Sequence, residues 1–367
     1  MLERFKVPAN EQVHVAEESL RHTVTTIFER VGLSRTDAME SADVLVTADL
    51  RGVESHGVSN MLRRYVEFYQ NEVLNPLGEL TVISDTPSAA TVDADRALGI
   101  TVGRRAMEIA VDKARKTGVG AVTMFNSGHM GALGHYAMIA VQNNMIGFSS
   151  TAAGTGVVPT FASEPRFGTN PFAFAAPTRH KAPILFDVAT TAVAGNKLEL
   201  ARRLKASLLP GWIAELDGTP ITQETEARGK DEYYQLPIGG SRESGSHKGY
   251  GLALMVEVLG SLLSGSKSGM IKDESDWIGS KSFFTAYNIE AFTNMDEFMT
   301  NIDEMLEHLT ETKPSPGNKR VLYPGLIEHE EFQKRVIEGI PLHTEVIDWF
   351  DQITKELSVD PLELIKP

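Results

Sequence analysis

The sequence contains no cysteine, and that one absence removes several chemistries together. No disulfide framework, no thiolate nucleophile and no Cys-ligated zinc or iron–sulfur cluster can be built from it. Positive charge is also in deficit, with 35 Lys and Arg against 49 Asp and Glu for a net charge of −14. That sign repels phosphate backbones and anionic lipid, so neither a nucleic acid nor a membrane surface is an expected partner. No window reaches the roughly 18 to 20 uninterrupted apolar residues of a membrane span. The opening Met1-Leu2-Glu3-Arg4-Phe5-Lys6 lacks the apolar stretch of a secretion signal, and a cytoplasmic location is expected. There is no G-x-S-x-G elbow, P-loop, H-E-x-x-H or EF-hand loop. No metal is expected either, because the carboxylates beside His308 and His329 read as solvated helix faces.

What is present is an ordinary globular composition, 42% hydrophobic and 23% charged over 367 residues, enough for one large domain or two of common size. From Asn10 to about Asp49 the apolar spacing is helical, with Val13, Val15, Leu20, Val24, Ile27 and Phe28 on one stripe and Ala38, Ala42, Leu45 and Val46 on a second. Gly32 stops the first helix, and Ser34 with Asp37 resembles a capping box for the next. A third helix is expected over 58–73. Beyond about residue 80 short β-rich runs alternate with helices: strands near 80–83, 89–92, 119–125, 145–150, 171–176, 184–188 and 283–292, helices over 101–117, 132–143 and 248–264. After a linker at 317–325, helical periodicity returns over 328–338 and 344–357. Neither end alone can bury much surface, so residues 1–78 and 320–367 are expected to form one helical domain around an α/β domain of residues 79–319.

Six segments could carry chemistry, although each taken alone has an ordinary structural reading. A Gly-punctuated turn, Ser55-His56-Gly57, presents an imidazole five residues after Arg51. In Ser127-Gly128-His129-Met130-Gly131, a second histidine sits between glycines at a strand-to-helix turn. There the backbone admits a close ligand, and the imidazole can act as acid or base near neutral pH. The spacing of Gly128, Gly131 and Gly134 is not the G-x-G-x-x-G of a dinucleotide fingerprint. Gly168-Thr169-Asn170-Pro171 holds Asn170 extended before a proline. Asp187, with Val188 and Ala189, places one carboxylate in an apolar strand, where it either bonds a ligand hydroxyl or neutralises a cation. His247-Lys248-Gly249-Tyr250 opens an apolar helix with a cation, an arrangement suited to an anion. Gly317-Asn318-Lys319 forms a late Gly turn.

In order and spacing these segments, together with Gly211-Trp212 and Asp217-Gly218, resemble the malate/L-lactate dehydrogenase-like oxidoreductases, which include sulfolactate, ureidoglycolate and 2,3-diketogulonate enzymes. The resemblance spans about residues 10 to 325. It implies an α/β (α+β) fold in which a non-Rossmann nicotinamide-binding domain, with a mixed and largely antiparallel sheet, is inserted into the helical domain. It further implies a homodimer that uses NAD or NADP to interconvert a small 2-hydroxy acid and its 2-oxo acid. Carried over position by position, His129 matches the acid/base histidine and His56 a second histidine beside the substrate. Asp187, Val188 and Ala189 match a cofactor strand, and Gly317, Asn318 and Lys319 a late cofactor loop. Thr169, Asn170 and Lys248 line the same site.

One position departs from the family pattern. Many members carry Arg four residues after the first histidine, where it clamps the substrate carboxylate, and Asn60 stands there instead. Tyr65 also falls one residue late, so a one-residue insertion would move the clamp to Arg63 or Arg64, with Arg51 and Lys248 as further cations. Two rival readings share much of the same site: a reductase of cyclic imino acids, and a cofactor-binding relative without turnover.

Overall fold

The computed structural model describes residues 6–271 and 279–365; Met1–Phe5, on which the N-terminal signal reading rests, lie outside the described residues. The chain begins with a strand where helix was expected, β1 (Gln12–Val15), followed by α1 (Glu17–Arg30), α2 (Arg35–Leu50) and α3 (Val58–Gln70). Val13 and Val15 therefore belong to a strand and not to the α1 stripe. The partner of β1 is β11 (Ile340–His343) at the other end of the chain, with Val15 opposite Ile340, a pairing that no local pattern announces. The expected stripes of α1 and α2 are fully buried. Ser34 caps α2, its hydroxyl accepting the Asp37 N–H at 3.2 Å. One core joins these helices to the far end of the chain: Leu20, Phe28, Leu45 and Tyr65 pack with Ile340, Leu342, Phe350 and Ile353. Phe350 and Ile353 come from α10 (Thr344–Glu356), which follows α9 (Leu326–Glu338) and β11.

Between the ends lies a seven-stranded sheet of β2 (Thr81–Asp85), β3 (Ala89–Asp93), β4 (Val119–Ser127), β5 (Met145–Ala152), β6 (Phe172–Ala176), β7 (Ile184–Val188) and β10 (Ser280–Asn288). In space the order is β2-β3-β4-β10-β5-β6-β7. Every neighbouring pair is antiparallel except β3 and β4, which need a helical crossover and have one in α4 (Gly99–Thr117). The sheet is thus mixed and largely antiparallel. Helix α4 and α5 (Gly134–Gln142) cover one face over a core of alanines and valines. Gly120 is needed for that contact, since a Cβ there would lie 1.9 Å from the Ala110 carbonyl oxygen.

Four elements carried no clear signal in the sequence: α6 (Gly195–Arg203), the two-residue strands β8 (Ile213–Ala214) and β9 (Tyr234–Gln235), and α8 (Met295–Glu311). Helix α6 and the β8–β9 pair share a small core of their own, including Val193, Leu198, Leu208, Ile213 and Tyr233. The helix expected over 248–264 is α7 (Ser246–Glu257) running on into a π-helical turn, Val258–Leu262. Strand β10 ends at Asn288, short of the expected Phe292, because the Asn288 side chain caps a 3-10 turn at Ile289–Ala291. No helix among the described residues is long and apolar enough to cross a membrane.

Candidate active site

The first histidine turn is built by groups distant in sequence. After α2 the chain makes one 3-10 turn, Glu54–His56, before α3 begins. Asp49 caps α3, its Oδ2 accepting the Val58 N–H at 2.8 Å. From α9, Arg335 donates through Nη1 to the Asp49 carbonyl at 2.7 Å and through Nη2 to Glu54 Oε1 at 2.8 Å. From α6, Asn196 Nδ2 donates to the Ser55 carbonyl at 2.8 Å. Burial pushes the Asp49 carboxyl up to about 8, and burial also raises Glu54 against the pull of Arg335.

Gly57 admits this arrangement, because a Cβ there would lie 1.8 Å from Asp49 Oδ1. Gly57→Ala is therefore expected to displace the cap and lower stability by about 1–3 kcal/mol or more. Urea titration measures this, and an unchanged midpoint would show that the cap is dispensable.

The second histidine leaves β4 beyond Ser127. His129 Nδ1 lies 2.6 Å from Tyr65 Oη and 3.1 Å from the Gly131 N–H. A backbone N–H only donates, so Gly131 favours the neutral ring with its proton on Nε2, while the Tyr65 hydroxyl can donate or accept and so suits either tautomer. His56 Nδ1 is bonded to Ser55 Oγ at 2.9 Å. The two imidazoles stack, 5.8 Å between centroids and 11° between planes. Burial lowers both: His56 to about 4, with Lys197 adding to the effect, and His129 to about 3, with His56 and Arg64 adding. The Tyr65 hydroxyl is driven far above its usual value by burial and stays protonated.

Both rings open on a cavity of about 800 Å³, within the range of ligand pockets. Of the expected residues, His129, His56, Arg51, Asp187, Val188, Ala189 and Thr169 share its wall. Asp187 is open to the cavity but deep in the protein, and its carboxyl is pushed up to about 6, chiefly by burial, while Gly134 donates its N–H to Oδ2 at 2.7 Å. Burial lowers Arg51, with Glu328 and Asp187 opposing. Arg63 points outward to Glu67 at 3.2 Å with its side chain 68% exposed. Its neighbour Arg64 faces the cavity, with the guanidinium carbon 5.2 Å from the Phe68 ring centroid. Asn60 is turned away, donating to the Glu54 carbonyl at 3.0 Å and accepting from Arg203 at 3.4 Å.

The remaining expected residues stand off the wall. Asn170 is wholly buried and donates to the Ala253 carbonyl at 3.1 Å and to Glu257 Oε2 at 3.2 Å, which fixes the loop presenting Thr169. Lys248 is exposed on the first turn of α7, and Gly317, Asn318 and Lys319 form an exposed turn. The wall also holds residues to which sequence reasoning gave no role: Lys197, Asn196, Trp212, Glu328 and His329. In sequence Glu328 and His329 resemble a solvated face, because the spacing of α9 cannot reveal that this side of the helix closes a cavity. The available signals are Gly211-Trp212 for Trp212 and, for Asn196 and Lys197, a Gly-Asn-Lys turn in Val193-Ala194-Gly195-Asn196-Lys197 a few residues past the aspartate strand.

Residues 15–351 match the malate/L-lactate dehydrogenase family. The chain belongs to that family. It is 38% identical to malate dehydrogenase of Pyrococcus abyssi over 99% of this chain and 100% of the relative. Other relatives are named L-sulfolactate and ureidoglycolate dehydrogenase. The solved structure of malate dehydrogenase from Pyrococcus horikoshii superposes with a TM-score of 0.88 at 36% identity, covering 97% of this chain and 99% of that one. A delta1-piperideine-2-carboxylate reductase from Pseudomonas syringae superposes at 0.81 with 26% identity, over 93% of this chain and 99% of that one. The protein is a member of a hydroxy acid dehydrogenase family, and these dehydrogenases are oxidoreductases that use nicotinamide cofactors.

Proposed function

We propose that this protein interconverts a small 2-hydroxy acid of the malate, lactate or sulfolactate type with its 2-oxo acid, using NAD or NADP, with His129 as the acid/base. The observation that carries the reading is the engagement of His129 Nδ1 by Tyr65 and Gly131, which leaves Nε2 to a ligand. A nicotinamide dinucleotide fits the wall: the cavity is several times larger than a small acid needs. Asp187 offers a carboxylate to ribose hydroxyls, and Leu133, Leu185 and Val188 offer apolar surface to rings. When bound, the cofactor supplies or accepts the hydride at C2.

The chain's own residues do the rest. Arg64 holds the substrate carboxylate, since its planar fork can bind both oxygens and no carboxylate among the described residues pairs with it. Arg51 is assigned to the cofactor side, since its charge is felt by Asp187 and Glu328 and adds to neither imidazole. In the reductive direction an imidazolium His129 gives its Nε2 proton to the substrate oxygen, with Tyr65 Oη accepting from Nδ1–H. In the oxidative direction the neutral ring acts as its Nδ1–H tautomer, donating to Tyr65 Oη in place of the Gly131 contact, and takes the hydroxyl proton at Nε2.

Because His129 is held below its ordinary value, it is neutral at pH 7 in the free site. A substrate carboxylate beside it favours the imidazolium, so binding of a 2-oxo acid is expected to take up a proton and to tighten as pH falls. Calorimetry near pH 6 in two buffers of different ionisation heat measures this; equal heats would remove the assignment.

A cyclic imino acid reductase is the second reading, supported by the likeness to the piperideine-carboxylate enzyme. Oxidation of NADH and NADPH across a panel of 2-oxo acids and cyclic imines tests both, and cofactor binding without turnover on either would indicate a binding protein. A cytoplasmic homodimer is proposed as well. Helix α7 with its π-helical extension exposes an apolar stripe, Leu254, Met255, Val258, Leu262 and Leu263. Lys248, on the same helix, is then offered across the interface. Light scattering is expected to give twice the 40.1 kDa of one chain, and Val258→Lys to give the monomer; a fully active wild-type monomer would contradict it.

A further inference from the structure

Helix α7 turns an apolar stripe outward, and on its inner side it carries an acid that the reaction above does not use. Glu257, the last residue of α7 before the π-helical turn, is 5% exposed. Its Oε2 accepts from Asn170 Nδ2 at 3.2 Å, and its Oε1 accepts from Ser261 Oγ at 3.2 Å, Ser268 Oγ at 2.6 Å and the Gly269 N–H at 3.0 Å. None of these donors is a cation. A buried carboxylate is costly unless hydrogen bonds satisfy it, and here they come from the π-helical turn, the loop after it and the loop that carries Thr169. Turns of the π type recur at functional sites.

The residue that Glu257 holds is strained. Asn170 has φ +35°, not the extended backbone expected ahead of Pro171, and a side-chain-bearing residue keeps such a conformation only where its surroundings fix it. Its carboxamide is held at both ends: Nδ2 also donates to the Ala253 carbonyl at 3.1 Å, and Oδ1 accepts the Ala153 N–H at 3.4 Å. Directly before it, Thr169 lines the cavity, and the Thr169 carbonyl accepts both the N–H and the hydroxyl of Thr190 at 2.9 Å. Thr190 stands between Ala189 and Thr191, which share the cavity wall with Asp187 and Val188. A run of bonds therefore joins Glu257 to the side of the cavity assigned to the cofactor.

We infer that Glu257 is a positioning residue for the nicotinamide cofactor: through Asn170 it sets Thr169 and the 187–191 edge of the cavity without itself reaching the wall. The inference rests on the cofactor use proposed above. The acceptor pattern is what the position requires. Asn170 Nδ2 and the Gly269 N–H can only donate, and they face different oxygens. Glu257→Gln therefore turns an amide nitrogen on one of them in either orientation, and the link to Asn170 or to the loop at Gly269 is lost.

The test measures affinity for NADH and NADPH, by the fluorescence of the bound reduced nicotinamide, in the wild type, Glu257→Gln, Asn170→Gly and the double variant, at a temperature where circular dichroism shows each to be folded. Glu257→Gln is expected to weaken binding of the preferred cofactor by about 10- to 100-fold, the worth of a lost charge-assisted hydrogen bond, and to raise the KM for that cofactor while the KM for a 2-oxo acid stays near wild type. Asn170→Gly adopts φ +35° freely and removes only the carboxamide, so it should weaken binding to a similar extent. The double variant should bind no more weakly than either single one, because both break the same link. Unchanged affinity in Glu257→Gln overturns the inference, as does unchanged affinity in Asn170→Gly should Glu257→Gln fail to fold, and so do additive losses in the double variant. A wild type that binds neither NADH nor NADPH overturns the cofactor reading itself and is thereby told apart.

Discussion

His129→Ala is expected to lower kcat by about 10²- to 10⁴-fold, the usual worth of proton transfer by a placed side chain, while changing cofactor affinity little. The size follows from geometry. Tyr65 and Gly131 converge on Nδ1, so the ring is oriented before substrate arrives and Nε2 is the remaining reactive atom. Without it, water must deliver the proton inside a site whose walls are largely apolar. His56 stacks against His129 and is tied through its own Nδ1 to Ser55; the role proposed for it is orientation, and His56→Ala should cost less. Because loss of an interaction made only in the transition state lowers kcat and kcat/KM equally, steady-state kinetics of the two variants separate the roles. Near-normal turnover in His129→Ala with loss in His56→Ala would reverse the assignment.

The second large effect is expected at Arg64. The sequence offers two adjacent arginines, and the helical turn between them decides: Arg63 is spent on Glu67 in solvent, while Arg64 faces the cavity. A charge-assisted pair in a partly desolvated site is worth about 1.5–3 kcal/mol, so Arg64→Ala should lower kcat/KM by about 10- to 150-fold. An exposed i,i+4 pair contributes about 0.3–0.5 kcal/mol to stability, and Arg63→Ala should leave kinetics near wild type. Comparing each variant on a 2-oxo acid and its amide completes the test. If neither variant distinguishes acid from amide, the carboxylate is held elsewhere, with Arg51 next in line.

The legible parts of the fold were those with local causes. The stripes of α1 and α2, the Ser34 cap, and the alternation of strands with α4 and α5 follow from periodicity and turn chemistry within a few residues. The pairing of β1 with β11 was not legible, because a four-residue strand is stabilised by a partner at the other end of the chain. The same contrast runs through the site. His56, His129 and Asp187 stand out as polar groups in Gly-rich or apolar settings, and all three face the cavity. Lys197 and Glu328 look like ordinary solvated residues in sequence, and only the packing of α6 and α9 over the cavity brings them to its wall. Asn60 is informative as an exception: turned toward Glu54 and Arg203, it does not line the cavity, whereas Arg64, to which the clamp is proposed to pass, does.

Hydride transfer to C2 is the central claim, and isotope transfer reads it directly. NADH and NADPH carrying deuterium at C4, on either face, are incubated with the protein and oxaloacetate, 3-sulfopyruvate or pyruvate, and the acid product is examined by mass spectrometry. The account predicts one deuterium at C2 of the 2-hydroxy acid from one face of the cofactor, with the yield of labelled product collapsing in His129→Ala. Product formed without deuterium from either face, or no product from any 2-oxo acid, would contradict it.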